Sequence, residues 1–491
     1  MRTALSFVDG QGVDTGGEDL PIRNPATGAA IASARLASDA VVDQAVASAK
    51  RTFATWSGTG LQTRADLMLD LREALKAARG ELVDLLVLEV GKTQADAAGE
   101  ISRSIDILAQ AASVGNWYGA QATPGVSRGV DVHEVRYPIG VVAGIGPFNF
   151  PILVPIIQAA MALVCGNTVV VKPSERVPSA SLRIGELFKS AGLPDGAFNI
   201  VIGDRRAVDH LIEHPDVAGI SFVGSTAVAR DIRVRGTARQ KRVQAFGGGK
   251  NHLVVMPDAD LEAAAAAAVS SAFGAAGQRC MAVSVVVAVG STGDALVNEI
   301  ASRLEALSVG MPSAATTDLG PVITPASRDN ILAHLTRMGA GDGRLVVDGR
   351  DRQPPGEGWF IGPTLVDHVR PGTPLHADEL FGPLLSVVRA PDLDTALTVI
   401  AGHELGNGAS IFTRDGASAK RFVDEAEAGM IGVNVPIPFP VFFHSFGGWK
   451  DSAFSETKLF GPGALGFYTR SKTVSVRWPD GPATPAQRPF S

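Results

Sequence analysis

Cysteine is nearly absent from the chain, with only Cys165 and Cys280 among 491 residues. That scarcity excludes a disulfide framework and fits a reducing compartment, so a cytoplasmic protein is expected. An excess of charge of one sign is lacking too: 44 basic residues face 50 acidic ones, for a formal charge of −6. So mild a balance gives no reason to expect nucleic acid as a partner. The first ten residues show neither a basic segment before an apolar core nor an Arg/Ser-rich amphipathic pattern, and no signal or transit peptide is expected. The ordinary dinucleotide fingerprint, G-x-G-x-x-G, is missing after both of the strand ends described below that could receive a nucleotide.

Charge disappears altogether between Arg136 and Lys172. By length alone this run would span a bilayer. Pro138, Gly140, Gly144, Gly146, Pro147, Asn149, Pro151, Pro155, Gly166 and Asn167 cut it into short pieces, however. It reads better as buried strand, loop, buried helix and buried strand, and no membrane partner is expected.

What is present is an ordinary well-packed composition, 45% hydrophobic and 19% charged, in a chain long enough for two or three domains. Helical spacing marks residues 39–56, 63–78, 80–91 and 93–118. Strand and helix patterns then alternate from residue 140 to 223 and again from residue 251 to 433, so the fold class is α/β with parallel sheets. Residues 247–250, Gly-Gly-Gly-Lys, read as the junction between two such units. A strand over 467–478 precedes a Pro-rich tail and needs a partner, either the strand at 131–138 or another subunit.

Chemistry concentrates in Gly277-Gln278-Arg279-Cys280-Met281-Ala282. An alanine-rich helix over 260–276, capped by Asp258 or Asp260 and ended by Gly277, leads into it, and a strand over 283–289 follows. Arg279 beside Cys280 favours the thiolate, the attacking form. The competing reading is a buried, inert cysteine. In Gly146-Pro147-Phe148-Asn149-Phe150-Pro151, the Asn149 amide is suited to donate to a developing oxyanion, unless it merely bonds its own turn. Lys172 and Glu175 follow a strand end where open sheets bind ligands, and Ser225 begins a helix whose N–H groups suit a phosphate. Arg103, inside a helix, reads by itself as part of a solvated face.

These motifs, with Phe222-Val223-Gly224-Ser225-Thr226 and Glu379-Leu380-Phe381-Gly382-Pro383, resemble the aldehyde dehydrogenase superfamily in order and spacing over nearly the whole chain. Lys250-Asn251-His252, Gly432-Val433-Asn434-Val435-Pro436-Ile437-Pro438 and Ser445-Phe446-Gly447-Gly448-Trp449-Lys450 narrow the resemblance to its CoA-acylating branch, the methylmalonate- and malonate-semialdehyde dehydrogenases. The resemblance implies a Rossmann-like NAD domain (residues 1–119 and 139–248), an α/β catalytic domain (249–445) and a β oligomerisation arm (120–138 and 446–491). It makes Cys280 the nucleophile and Asn149 an oxyanion donor. Gly146, Phe148, Lys172, Glu175, Arg176, Ser225, Gly247 and Glu379 become the NAD-binding residues, and Arg103 and Arg279 a clamp on a substrate carboxylate. No metal is implied, Cys165 has no role beyond the core, and a homodimer or homotetramer is expected.

The resemblance also implies oxidation of a small acidic semialdehyde, decarboxylation and release by CoA. Phe246 occupies the position where hydrolytic relatives carry a glutamate base and where the acylating branch carries an amide. Phenylalanine takes no proton, so a thioester on Cys280 resists water and awaits a thiol. Two other readings compete. One is hydrolytic oxidation with Glu456 or Glu379 as the base, and the other is a non-catalytic NAD-binding oligomer.

Overall fold

The computed structural model describes residues 3–478 apart from Thr15, Trp117, Ala120, Ala340 and Pro355. The Pro-rich tail after residue 478 lies outside the described residues. Two large sheets dominate. The first has eight strands in the spatial order Ala453–Phe454, Arg242–Phe246, Val217–Val223, Val141–Ile145, Thr168–Lys172, Phe198–Ile200, Ser6–Val8 and Gln11–Val13. Its central strands run parallel, while the edges at 453–454 and 6–13 run antiparallel. The second sheet has seven strands, Arg344–Val347, Thr364–Asp367, Leu384–Ala390, Val283–Val289, Asn251–Val255, Gly408–Phe412 and Met430–Val433. Only its Arg344–Val347 edge is antiparallel.

The charge-free run follows the expected pattern of strand, loop, helix and strand. Val141–Ile145 and Thr168–Lys172 are buried along their whole length, as parallel strands covered on both faces must be. Between them Leu153–Val164 forms a helix with every residue buried. No helix among the described residues is long and apolar enough to cross a membrane.

Topology places the crevice. Strands following Val141–Ile145 in the chain first extend the sheet on one side of it, at 168–172 and 198–200. The next two, at 217–223 and 242–246, then join on its other side. Chain order therefore reverses next to Val141–Ile145, where open α/β sheets bind ligands beyond the strand carboxyl ends. The first sheet ends at Phe246 and the second begins at Asn251, with only residues 247–250 between. That short link brings the carboxyl edge of the first sheet against the amino edge of the second.

A separate three-stranded sheet joins Ala122–Ser127, Val130–Pro138 and Thr469–Arg477. Thr469–Arg477 pairs with Val130–Pro138 from Thr469 opposite Pro138 to Arg477 opposite Val130. Two details differ from expectation. Phe467 and Tyr468 end a helix, Pro462–Tyr468, because both rings are buried against the first unit and Pro462 suits a first helical turn. Within residues 446–468, Trp449–Lys450 pairs with Leu405–Gly406 of the second unit and Ala453–Phe454 with Arg242–Phe246 of the first, and the Tyr468 carbonyl accepts from Asn167 Nδ2 at 2.9 Å.

The helix Leu153–Val164 carries the loop that holds Asn149, so its packing has a measurable consequence. Ile156→Ala, at a fully buried position, is expected to lower the unfolding free energy by about 2–5 kcal/mol. Denaturant titration should show a lower midpoint with an unchanged slope.

Candidate active site

A cleft of about 860 Å³ opens where the two sheet edges meet. Cys280, Asn149, Gly146, Phe148, Lys172, Glu175, Ser225, Gly247 and Glu379 all line it. Arg176, Arg103 and Arg279 do not. Arg176 is exposed to solvent and, although next to Glu175 in sequence, does not line the cleft.

The turn carrying Cys280 departs from the expected helix. Asp260 does cap it, through a bond from the Ala263 N–H at 3.1 Å, but the regular helix is Leu261–Phe273. A 3-10 segment, Gly274–Gly277, follows, in which Ala275 and Ala276 adopt left-handed conformations with φ of 51° and 54°. Gly277 continues it at φ 71°, where a Cβ would lie 2.2 Å from the Gly382 carbonyl oxygen. Only glycine fits there.

Amide side chains from distant segments fix the next residues. Asn149 Nδ2 donates to the Gln278 carbonyl at 2.9 Å, and the Gln278 side chain accepts from the Ile323 N–H at 3.0 Å. The Cys280 carbonyl accepts from both Asn251 Nδ2 and Asn407 Nδ2 at 2.9 Å each. Asn251 and Asn407 were not singled out from the sequence; Asn251 lies inside a quoted motif, which was the available signal. The Asn149 amide uses one hydrogen on Gln278, and its geometry leaves a second donor.

Glu100 and Lys92 were also missed. Glu100 Oε1 accepts from the N–H groups of Ile152 at 2.9 Å and Leu153 at 3.0 Å, which start the helix behind Asn149. Its other oxygen pairs with Lys92, which lies 4.1 Å from the centre of the Phe150 ring. Both charged side chains are buried.

The electrostatics do not favour a resting thiolate. Burial pushes the Cys280 thiol up to about 12, and the Glu379 carboxylate adds to the rise. Arg279 is the smallest of the opposing influences. It does favour the thiolate, as expected, but too weakly to offset burial, and its guanidinium is paired with Asp96. Glu379 is itself raised by burial, although the Gly249 N–H donates to it at 3.0 Å. Lys250, buried with Nζ on the carbonyls of Leu375 at 3.0 Å and Asp378 at 2.6 Å, is lowered to about 8. Charge around the nucleophile is thus suppressed on both signs.

Phe246 is buried at the end of its strand, in the apolar cluster that also takes in Phe148, Phe150 and Cys280. Glu456, one of the two substitute bases considered, faces solvent and pairs with Arg233 at 3.4 Å. That removes it, because a base must reach the reacting water. Glu379 remains within the cleft. Arg103 is exposed, with its guanidinium carbon 5.2 Å from the centre of the Phe439 ring. Cys165 is fully buried, in keeping with a core residue.

At the far end of the cleft, Lys172 Nζ bonds Glu175 at 3.1 Å and the Gly203 carbonyl at 2.8 Å. Between the two ends, the helix Thr226–Ala238 begins at Ser225 with no side chain capping its first N–H groups. A carboxylate near each end and free helix N–H groups between them fit a long dinucleotide with a central pyrophosphate.

The sequence profile of the aldehyde dehydrogenase family matches residues 13–474. A malonate-semialdehyde dehydrogenase of Pseudomonas aeruginosa is 43% identical over 482 residues, covering 98% of this chain and 97% of its own. Among solved structures, the methylmalonate-semialdehyde dehydrogenase of Oceanimonas doudoroffii has a TM-score of 0.96 at 43% identity, over 98% of this chain and 99% of that one. A Sinorhizobium meliloti relative solved in complex with NAD has a TM-score of 0.96 at 42% identity, with coverage of 98% and 99%.

The raised thiol sets a chemical expectation for the ligand-free protein. Below its pKa the thiolate fraction grows about tenfold per pH unit, so iodoacetamide modification of Cys280 should accelerate steadily from pH 6.5 to 9.5. Glu379→Gln, which removes the neighbouring negative charge, should speed modification at pH 8 severalfold. Peptide mapping of the alkylated protein checks both, and a plateau below pH 9 would contradict the assignment.

Proposed function

This chain belongs to the aldehyde dehydrogenase family, and from that premise we propose that it oxidises malonate semialdehyde or methylmalonate semialdehyde with NAD, passing the acyl group from Cys280 to CoA. The observation that carries the reading is Phe246, a buried apolar side chain that immediately precedes the cleft-lining Gly247 and Gly248 and stands where hydrolytic relatives carry a base. Near-full-length similarity to a malonate-semialdehyde dehydrogenase supports the substrate class.

The steps follow from the residues. Cys280 Sγ adds to the aldehyde carbon, losing its proton as the S–C bond forms, and the carbonyl oxygen becomes an oxyanion. The free hydrogen of Asn149 Nδ2 and the backbone N–H of Cys280 stabilise that charge from fixed positions. Lys172, Glu175 and Ser225, with Glu379 near Cys280, would hold NAD, which would supply the hydride acceptor. As the oxyanion re-forms the carbonyl, the C–H bond breaks and its hydrogen leaves with the electron pair to the hydride acceptor, so that a thioester remains on Cys280. Its β-carboxylate departs as carbon dioxide, because the electron pair released is taken up by the thioester as an enolate, which a proton then quenches. The CoA thiol attacks the remaining acyl group, freeing Cys280 and giving acetyl-CoA or propionyl-CoA. Arg103 and Arg279 grip the substrate carboxylate before it leaves. A homodimer or homotetramer in the cytoplasm completes the reading, supported by the outer edge of strand Thr469–Arg477, which has no strand partner among the described residues, and by two free cysteines.

The test is NADH formation from malonate semialdehyde and NAD, with and without CoA. Without CoA a single burst of at most one NADH per Cys280 is expected, and with CoA sustained turnover with acetyl-CoA as product. Cys280→Ala should abolish both. Sustained turnover without CoA would instead favour hydrolysis with Glu379 as base, and NAD binding with no NADH from any short aldehyde would favour a non-catalytic role.

A further inference from the structure

The geometry assigns Asp96 as the positioning residue that sets selectivity for a carboxylate-bearing aldehyde, by holding the guanidinium of Arg279 in place. This rests on the reading of Arg103 and Arg279 as the carboxylate clamp.

Asp96 stands in the first turn of the helix Gln94–Ala111, whose N-cap Thr93 accepts from the Asp96 N–H at 3.2 Å. Its Oδ2 accepts from Thr93 Oγ1 at 2.9 Å and from the Ala275 N–H at 3.0 Å. Its Oδ1 pairs with Arg279 Nη2. One carboxylate thus ties the start of the left-handed turn to a side chain at its far end. The two side chains retain 13% and 24% exposure, so the pair is sheltered but open on one flank.

Two further facts show that the slot is shaped for the guanidinium. A Cβ on Gly274 would lie 2.3 Å from Nη1 and 2.5 Å from Cζ, so Arg279 lies against the bare backbone there. Gly274 has φ −55°, which any residue adopts, so its lack of a side chain is used for space and not for conformation. Second, Asp96 engages Nη2 alone, and Nε and Nη1 have no protein partner among the described residues. An arginine held at one nitrogen keeps donors for a second carboxylate.

Helical spacing relates this slot to the other arginine. Asp96, Glu100 and Arg103 stand at i, i+4 and i+7 and share one stripe of the helix. Arg103 forms no ion pair among the described residues and lies over the Phe439 ring. Asp96 thus ties Arg279 to the helix that also carries Arg103. Without that tie Arg279 has several rotatable bonds to spend, and a two-point grip on a small carboxylate is lost.

The experiment compares kcat and KM for malonate semialdehyde and for propanal, a neutral aldehyde of equal carbon number, in Asp96→Asn, Gly274→Ala and Arg279→Ala. Asp96→Asn keeps an acceptor for the Ala275 N–H and removes the charge; Gly274→Ala leaves every charge in place and displaces the guanidinium sterically. Both are expected to lower the selectivity for malonate semialdehyde over propanal at least tenfold, mainly through KM, and Asp96→Glu should restore part of it. If Arg279→Ala loses selectivity while Asp96→Asn and Gly274→Ala keep it, the role of Asp96 is overturned and the clamp stands. If Arg279→Ala keeps its selectivity, the clamp fails and the proposal with it. Equal losses for both aldehydes through kcat would reduce Asp96 to a structural support and overturn the assignment too.

Discussion

Everything chemical in this protein hangs on three successive residues with positive φ. Alanine strongly prefers the right-handed helix, and a left-handed alanine costs roughly 1–2 kcal/mol. Ala275 and Ala276 both accept that cost, and Gly277 extends the turn where no side chain fits beneath the Gly382 carbonyl. Such a turn persists only when its surroundings over-determine it. Here the anchors come from both sheets: Asp96 and Asn149 from the first unit, Asn251 and Asn407 from the second. Cys280 is therefore held from both sides of the cleft, and its backbone N–H and the Asn149 amide are oriented before any substrate arrives. Preorganised donors of this kind need no rearrangement as charge develops.

The same enclosure explains the muted charges around the nucleophile. Cys280 and Glu379 are both pushed toward their neutral forms by burial, and Lys250 is lowered by the same cause. Each keeps its hydrogen-bond partners, so none is an uncompensated polar group. A protonated thiol in an apolar surround is protected from oxidation and from stray electrophiles. The counterpart is that Sγ must lose its proton during attack, with Glu379 the titratable carboxyl that shares the cleft. Phe246, buried at the strand end just before Gly247 and Gly248 of the cleft, offers no group that could take a proton from water.

Much of this was legible in the sequence, for a physical reason. The helix Asp39–Trp56 and the strand Val283–Val289 fall where periodicity puts them, because their packing faces agree with local preference. Nine of the residues expected around the cofactor and the nucleophile meet in one cleft, since each lies in a motif at a strand end. The kink at Ala275 and Ala276 was not legible, because alanine argues for continuing the helix. Nor were the ties that hold it: Asp96 to Arg279 spans 183 residues in sequence, Asn407 to Cys280 spans 127, and Glu100 to Ile152 spans 52. No local window contains such pairs. Arg176 errs in the other direction, since adjacency to Glu175 in sequence says nothing about which way its side chain turns.

The buried pair Lys92–Glu100 poses the sharpest energetic question. A buried ion pair is weak evidence for stability, since apolar residues of similar volume often serve as well. Glu100 does more than pair. Its second oxygen takes two N–H groups at the start of Leu153–Val164, where a helix dipole favours negative charge. An apolar substitute would leave those donors buried and unsatisfied, at about 1–3 kcal/mol each. Lys92 then balances the charge while lying over Phe150, the ring next to Asn149. The pair thus clamps the loop that presents the Asn149 amide, four residues along the helix from the carboxylate that holds Arg279. One face of Gln94–Ala111 is the common reference for the Asn149 amide and for the turn that carries Cys280, so a shift of that helix would move both together.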